Sequence, residues 1–244
     1  MKRKIGLVTG GARRLGRDIC LELGRSGFDI ILTYNSSSKS ILEKTVCEIE
    51  ETGATVTAYK CDLSKVKNIK DLYKKIKIRF NRIDLLVNNA AIFERAEFTE
   101  TTEIFFDKFI DTNLKSVFFS SQEAAKIMLE NKKQTGRIIN IASLGAVENW
   151  TGYIPYSLAK SGVHKLTQQL GKKLAPYILV NAIAPGTVLI ENDENKTVDV
   201  KERERYPMKR FAVSKDITSL VKYLALENKY ITGQMIIVDG GRSL

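Results

Sequence analysis

The chain has 244 residues, within reach of one α/β domain, and its 43 % hydrophobic residues supply a sizeable core, which excludes a disordered chain. No apolar run approaches the ~20 residues a membrane span needs, and the basic start Met1–Lys4 leads into an apolar stretch too short for a secretory leader, so a cytoplasmic protein with no membrane partner is expected. The net charge of +11 suits anionic ligands, but no nucleic-acid motif accompanies it, and Cys20, Cys47 and Cys61 lack metal-site or redox spacing, so neither nucleic acid nor metal is expected.

From the N-terminus, Ile5–Val8 reads as a strand that runs into a glycine turn. A helix follows over Leu15–Ser26, then a strand over Asp29–Tyr34 and a helix over Ser38–Thr52, with Gly27 and Gly53 where the helices should stop. Next come a strand over Thr55–Tyr59, a helix over Lys65–Phe80, a strand over Leu85–Val87 and one long helix over Thr102–Asn131. The C-terminal part continues with strand Arg137–Ile141, helix Ser157–Leu174, strand Leu179–Ala184, helix Ser214–Leu226 and strand Met235–Val238. Between the last two of these helices, Gly186–Met208 is polar and lacks periodicity, which predicts a mobile substrate loop with a short helix. Uninterrupted alternation of strands and helices predicts one parallel sheet covered on both faces. Right-handed crossovers then make it a doubly wound, Rossmann-type sheet of seven strands in a single domain over residues 1–244.

The turn Thr9-Gly10-Gly11-Ala12-Arg13-Arg14-Leu15-Gly16 sits between the first strand and the first helix. Glycine there lets the backbone approach a pyrophosphate resting on the helix N-terminus. The second strand ends in Tyr34-Asn35-Ser36-Ser37-Ser38, without a carboxylate. A carboxylate would repel a ribose 2′-phosphate, whereas Asn35, Ser36, Ser37 and the nearby Arg13 and Arg14 would welcome it, so NADP(H) is expected over NAD(H). Tyr156 and Lys160 share one face of a predicted helix, and Ser143 ends the fifth strand, where an open α/β sheet borders its ligand crevice. A tyrosine with pKa ~10 is a poor acid/base near neutral pH, and a neighbouring ammonium favours the phenolate. Moving that pKa to near 7 corresponds to roughly 4 kcal/mol. Tyr156 thus reads as the proton donor to a reduced carbonyl, Lys160 as the group that lowers its pKa, and Ser143 as the donor that holds the substrate oxygen.

The TGxxxxxG turn, Asn88-Asn89-Ala90-Ala91, Asn113, Ser143 and Tyr156-xxx-Lys160 stand in an order and spacing that resembles the short-chain dehydrogenase/reductase family over nearly the whole chain. The resemblance implies that Gly10, Leu15 and Gly16 hold the cofactor, that Asp62, beside Leu63, contacts its adenine, and that Asn89, Ala90 and Ala91 pass alongside it. It implies that Lys160 also hydrogen-bonds the nicotinamide ribose, and that Asn113 bends its helix and holds a water relaying protons to Lys160. It further implies that Pro185-Gly186-Thr187-Val188 closes over the nicotinamide, with Val188 reaching the carboxamide through its backbone. Family members pair the helices equivalent to Thr102–Asn131 and Ser157–Leu174, so a homotetramer is expected.

Two branches of the family compete for the substrate. Bacterial 3-oxoacyl-[acyl-carrier-protein] reductases share the Asn, Ser, Tyr and Lys set and an arginine like Arg13 near the 2′-phosphate. Their carrier protein is acidic, and Lys126, Lys132, Lys133, Lys172 and Lys173 would steer an acyl-carrier-protein thioester, alternatively to the small-molecule carbonyls of the wider family. Arg14-Leu15-Gly16, Leu174-Ala175-Pro176, Pro185-Gly186-Thr187-Val188-Leu189 and the ending Asp239–Leu244 instead resemble pteridine reductases. Those enzymes carry an aspartate where this chain has Ser143; a carboxyl suits protonation of a ring nitrogen, and a hydroxyl suits orientation of a carbonyl. Phe93 and Trp150 would line either pocket, Phe93 by stacking on a flat ring, with ordinary packing an equal alternative for each. His164, the only histidine, reads as a packing or interface residue. A non-catalytic dinucleotide-binding scaffold is a distant alternative, against which the complete tetrad argues.

Overall fold

A computed structural model describes residues 3–130, 135–190 and 200–244, the side chains of 200 and 201 excepted. Along these residues run β1 (Lys4–Val8), α1 (Arg14–Arg25), β2 (Phe28–Tyr34), α2 (Lys39–Glu50), β3 (Val56–Lys60), α3 (Val66–Phe80), β4 (Leu85–Asn88), α4 (Glu103–Ile110) and α5 (Ser116–Glu130). They continue as β5 (Gly136–Ile141), α6 (Ile154–Leu174), β6 (Ile178–Pro185), β7 (Val188–Leu189), α7 (Val200–Arg203), β8 (Ala212–Val213), α8 (Ser214–Leu226) and β9 (Met235–Val238).

Seven strands form one sheet in the order β3-β2-β1-β4-β5-β6-β9, and every pairing is parallel. Successive side chains of a strand point to opposite faces, so each strand feeds two cores. Val8, Ile30, Leu32, Val87 and Ile139 pack beneath α1, α2 and α8. Leu7, Ile31, Leu86 and Ile138 pack on the other face with α3 and α5, and Ala182 and Ala184 meet α5 and α6 there. Leu7, Leu32 and Leu85 are fully buried, each contributing about 2 kcal/mol by leaving water. The result is the expected Rossmann-type, doubly wound α/β fold, with strand order reversing between β1 and β4.

The fold departs from the sequence expectation in three places. The long helix predicted over Thr102–Asn131 is broken by a π-helical turn, Asp111–Lys115, between α4 and α5; Asn131 itself lies outside the described residues. The turn holds Asn113, whose side chain points inward to the backbone of Ile92. Helix α6 begins at Ile154 rather than Ser157, because Pro155 sits in its first turn, where the missing N–H has no partner to lose. The third departure starts in the segment predicted as a substrate loop, where β7 pairs in parallel with β8 just beyond it; the short helix expected there is present as α7, before Tyr206. Residues 191–199 of that segment lie outside the described residues.

Candidate active site

The carboxyl ends of β1, β2 and β3 open into a cavity of about 1020 Å³. Gly10, Arg13, Arg14, Leu15 and Gly16 line it from the first turn, Asn35, Ser36 and Ser37 from the end of β2, Asp62 and Leu63 from the end of β3, and Asn89, Ala90, Ala91 and Phe93 beyond β4. Gly10 has φ +64°, a conformation costly for a side chain bearing Cβ. A Cβ on Gly16 would lie 2.1 Å from the Gly10 carbonyl oxygen and 2.6 Å from Asn89 Nδ2, so only glycine fits where helix meets loop. Arg14, standing where a second glycine is common, adopts φ +53°, a strain of about 1 kcal/mol. Backbone amides at the α1 N-terminus and a floor too close for side chains are the features a nicotinamide dinucleotide needs, and the residues present fit it, with two exposed arginines beside Asn35–Ser37.

Thr9, which sequence reasoning passed over, ties this loop to β4. Its hydroxyl accepts from the amides of Asn89 (2.9 Å) and Ala90 (3.0 Å). Asn89 Nδ2 donates in turn to the carbonyls of Thr9 (3.0 Å) and Gly10 (3.1 Å), so this residue shapes the loop besides lining the cavity. One layer deeper, Asn88 donates to Ser121 (3.0 Å) and Asn140 (2.8 Å), and Asn140 donates to Thr167 (2.9 Å). These buried amides and hydroxyls lock β4, β5, α5 and α6 together, since a low-dielectric interior penalises any unpaired member. The Asp62 carboxylate accepts from the Ser64 amide (3.0 Å) and hydroxyl (2.7 Å), fixing the turn into α3. At the end of β6, Pro185 is buried, the Gly186 amide donates to Val238 (3.0 Å), and Val188 pairs with Ala212.

Ser143, Tyr156 and Lys160 converge where β5 ends against the first turns of α6. All three are buried: Ser143 is 5 %, Tyr156 9 % and Lys160 2 % exposed. The Ser143 hydroxyl accepts from the Gly145 amide (3.1 Å), capping a short 3-10 turn, and neighbours the Tyr156 hydroxyl. Lys160 Nζ donates to the Ile141 carbonyl (2.7 Å) and stands 5.8 Å from the centre of the Tyr156 ring. Asn113, fully buried, clamps Ile92: Oδ1 accepts from its amide and Nδ2 donates to its carbonyl, both at 2.9 Å. That clamp sets the path into Phe93.

Burial dominates at Tyr156 and raises its pKa above the ordinary 10.0, the Ser143 hydroxyl pulling the other way without prevailing. In the cofactor-free protein the Lys160 ammonium is turned to the Ile141 carbonyl rather than to the phenol oxygen. Burial also lowers the Lys160 pKa from 10.5 to about 8. The folded value lies below the unfolded one, so the buried ammonium opposes folding at low pH and ceases to as pH rises from about 8 towards 10.5. The gap in unfolding free energy between wild type and Lys160→Met should therefore shift towards the wild type by up to about 3 kcal/mol between about pH 7 and about pH 10. Denaturant titrations of both proteins across that range test this. Comparing the two removes the opposing contribution of Cys61, whose thiol burial pushes up to about 11. A gap independent of pH would contradict the assignment.

Three aromatic rings, Phe93, Trp150 and Tyr153, cluster around Tyr156. Phe93 stacks on Tyr153 (4.4 Å between centroids, 9° between planes) and meets Tyr156 edge-on (4.8 Å, 74°). Trp150 lies parallel to Tyr156 (6.3 Å, 6°). One face of Phe93 is thus taken by Tyr153, a residue the sequence did not single out, although Phe93 remains 54 % exposed. His164 lies on the partly exposed side of α6 near Gln168, remote from this cluster. Lys126, Lys172 and Lys173 are exposed, Lys126 being paired with Glu123; Lys132 and Lys133 lie outside the described residues.

A family model described as short chain dehydrogenase matches residues 4–201. The chain is 37 % identical over 243 residues to 3-oxoacyl-[acyl-carrier-protein] reductase FabG of Staphylococcus epidermidis, covering 98 % of both chains. Among solved structures, acetoin dehydrogenase from Enterobacter cloacae superposes with a TM-score of 0.89 at 31 % identity, over 99 % of this chain and 96 % of that one. A variant of actinorhodin polyketide ketoreductase with NADPH gives 0.88 at 30 % identity, over 98 % and 97 %.

Proposed function

Because the chain belongs to the short-chain dehydrogenase/reductase family and is an oxidoreductase of that kind, we propose that it uses NADPH to reduce the 3-oxo group of acyl thioesters borne by an acyl carrier protein. One observation carries the reading: Ser143, Tyr156 and Lys160, all buried, stand together where β5 meets α6. When bound, NADPH supplies the hydride. The substrate carbonyl oxygen sits between the Ser143 and Tyr156 hydroxyls, Ser143 orients it, and Tyr156 delivers the proton that the new alkoxide needs. A phenol whose proton is held tightly by burial suits reduction at neutral pH, with the reverse oxidation gaining as pH rises. Lys160 holds the nicotinamide ribose and returns a proton towards Tyr156. The Asn113 water relay, a homotetramer built on α4–α5 and α6, and a cytoplasmic location belong to the same reading by family resemblance.

A hydroxyl at Ser143, rather than a carboxyl, supports a carbonyl substrate, and the 37 % identity to the staphylococcal reductase supports the thioester. The exposed face of Phe93 favours a second reading, a dihydropterin. The test is NADPH oxidation by the purified protein with acetoacetyl thioesters, dihydrobiopterin and small quinones in parallel. The thioester should turn over fastest; a pterin turning over faster would overturn the first reading in favour of the second.

Arg13, Arg14, Asn35, Ser36 and Ser37 support the 2′-phosphate. NADPH should bind at least about tenfold more tightly than NADH, a difference of about 1.4 kcal/mol. Asn35→Asp, which puts a negative charge beside the phosphate, should reverse the order when the two affinities are titrated. Equal binding of both cofactors by the wild type would contradict NADP specificity.

A further inference from the structure

The C-terminal residues after β9 do not trail away. Gly240 (φ +65°) and Gly241 (φ +83°) turn the chain back, and the Asp239 carboxylate accepts from the amides of Gly241 (2.9 Å) and Ser243 (2.8 Å) to hold the turn. The Met208 amide donates to the Gly240 carbonyl (3.2 Å), pinning the turn to the segment after α7. This places Arg242, with a side chain only 19 % exposed, between Glu148, ahead of α6, and Glu202 and Tyr206, in and after α7.

On one side Arg242 Nε faces Glu148 Oε1 at 3.6 Å, while Glu148 Oε2 accepts from Trp150 Nε1 at 2.6 Å. Trp150 is the residue stacked parallel to Tyr156, and it lies so close on Gly145 that a Cβ there would be 2.8 Å from its ring. On the other side Arg242 Nη1 donates to Glu202 (2.9 Å) and to the Tyr206 hydroxyl (3.1 Å), and its guanidinium lies 5.4 Å from the centre of the Tyr206 ring. Tyr206 is 1 % exposed, and its hydroxyl donates to Thr187 Oγ1 (3.0 Å), in the segment after β6. A planar guanidinium with five donors serves two carboxylates and a phenol at once, which an ammonium cannot do in that geometry.

We propose that Arg242 is a positioning residue for catalysis: by joining Glu148 and Trp150 to Glu202, Tyr206 and Thr187, it sets the width of the opening beside Tyr156 and hence which acyl chains are accepted. This rests on the carbonyl-reductase reading for its kinetic consequence, and on geometry alone for the coupling. Arg242→Met should lower the preference for acetoacetyl thioester over a long-chain 3-oxoacyl thioester about tenfold in kcat/KM, a difference of about 1.4 kcal/mol. NADPH affinity should stay near wild type, while the midpoint of thermal unfolding should fall because Glu148, Glu202 and Tyr206 lose a shared partner. Glu148→Gln should change the preference in the same direction, and Arg242→Lys should restore only part of it.

Trp150 is the only tryptophan, so its emission reports the coupling without any turnover. The emission maximum should shift in both Arg242→Met and Glu148→Gln. An unshifted spectrum in Arg242→Met, or an unchanged chain-length preference in an active enzyme, would overturn the proposal. A wild type inactive on every carbonyl would instead defeat the carbonyl-reductase reading, with the coupling then decided by the spectrum.

Discussion

Tyr156→Phe should reduce kcat for carbonyl reduction by about 10³-fold, within the range by which a positioned general acid accelerates reactions, while NADPH binds as in wild type. The substitution removes one oxygen and leaves the ring, so the packing against Phe93 and Trp150 survives. What disappears is the proton donor and its polar contact with Ser143. Ser143 keeps the Gly145 amide as a partner, so the fold should lose only about 1 kcal/mol. Stopped-flow NADPH oxidation, with cofactor affinity measured separately, separates the two effects. A mutant that reduces carbonyls within about tenfold of the wild-type rate would mean that another group delivers the proton, since that remainder is less than a general acid supplies.

Gly16→Ala should cost the protein its cofactor. The new methyl group would lie 2.1 Å from the Gly10 carbonyl oxygen, a backbone atom with no room to retreat, and 2.6 Å from Asn89 Nδ2. Relief requires the Gly10 turn to move, which breaks the hydrogen bonds from Asn89 to the Thr9 and Gly10 carbonyls. Overpacking of this kind costs about 1–3 kcal/mol of stability. The same displacement rotates the amides that cradle the pyrophosphate, so NADPH affinity should fall about 100-fold or more, some 3 kcal/mol. Titration of NADPH binding alongside thermal unfolding tests both parts. Affinity within about twofold of wild type, a change of under about 0.5 kcal/mol, would mean that the loop does not hold the phosphates.

Residues whose role depends on local spacing were legible in the sequence. The glycine turn after β1, the absence of a carboxylate after β2, and Tyr156 one helical turn from Lys160 are each set within a few residues. The parallel sheet followed from strand–helix alternation, because strands buried on both faces leave continuous apolar runs. Pro155 offered a local signal for the true start of α6 and was not used. The bend at Asn113 was expected from the family resemblance alone, since no local spacing marks it; its side chain meets Ile92, twenty-one residues away. Thr9, Asn88, Asn140 and Thr167 look like ordinary polar residues until the sheet brings them together. The Arg242 network joins the end of the chain to Glu148 and Thr187, and no period or motif encodes that meeting. The raised pKa of Tyr156 in the cofactor-free protein was not legible, because helical spacing puts Lys160 near the ring without saying where its ammonium points.

The central claim is that a hydride reaches the substrate carbonyl from NADPH and a proton from Tyr156. Reduction of an acetoacetyl thioester with NADPH deuterated at the transferable position, followed by mass spectrometry of the product, tests it most directly. The account predicts one deuterium per product molecule, fixed on the new carbinol carbon, and about 10³-fold slower formation of that labelled product with Tyr156→Phe under the same conditions. Product lacking the label, or labelled product formed equally well by Tyr156→Phe, would contradict it.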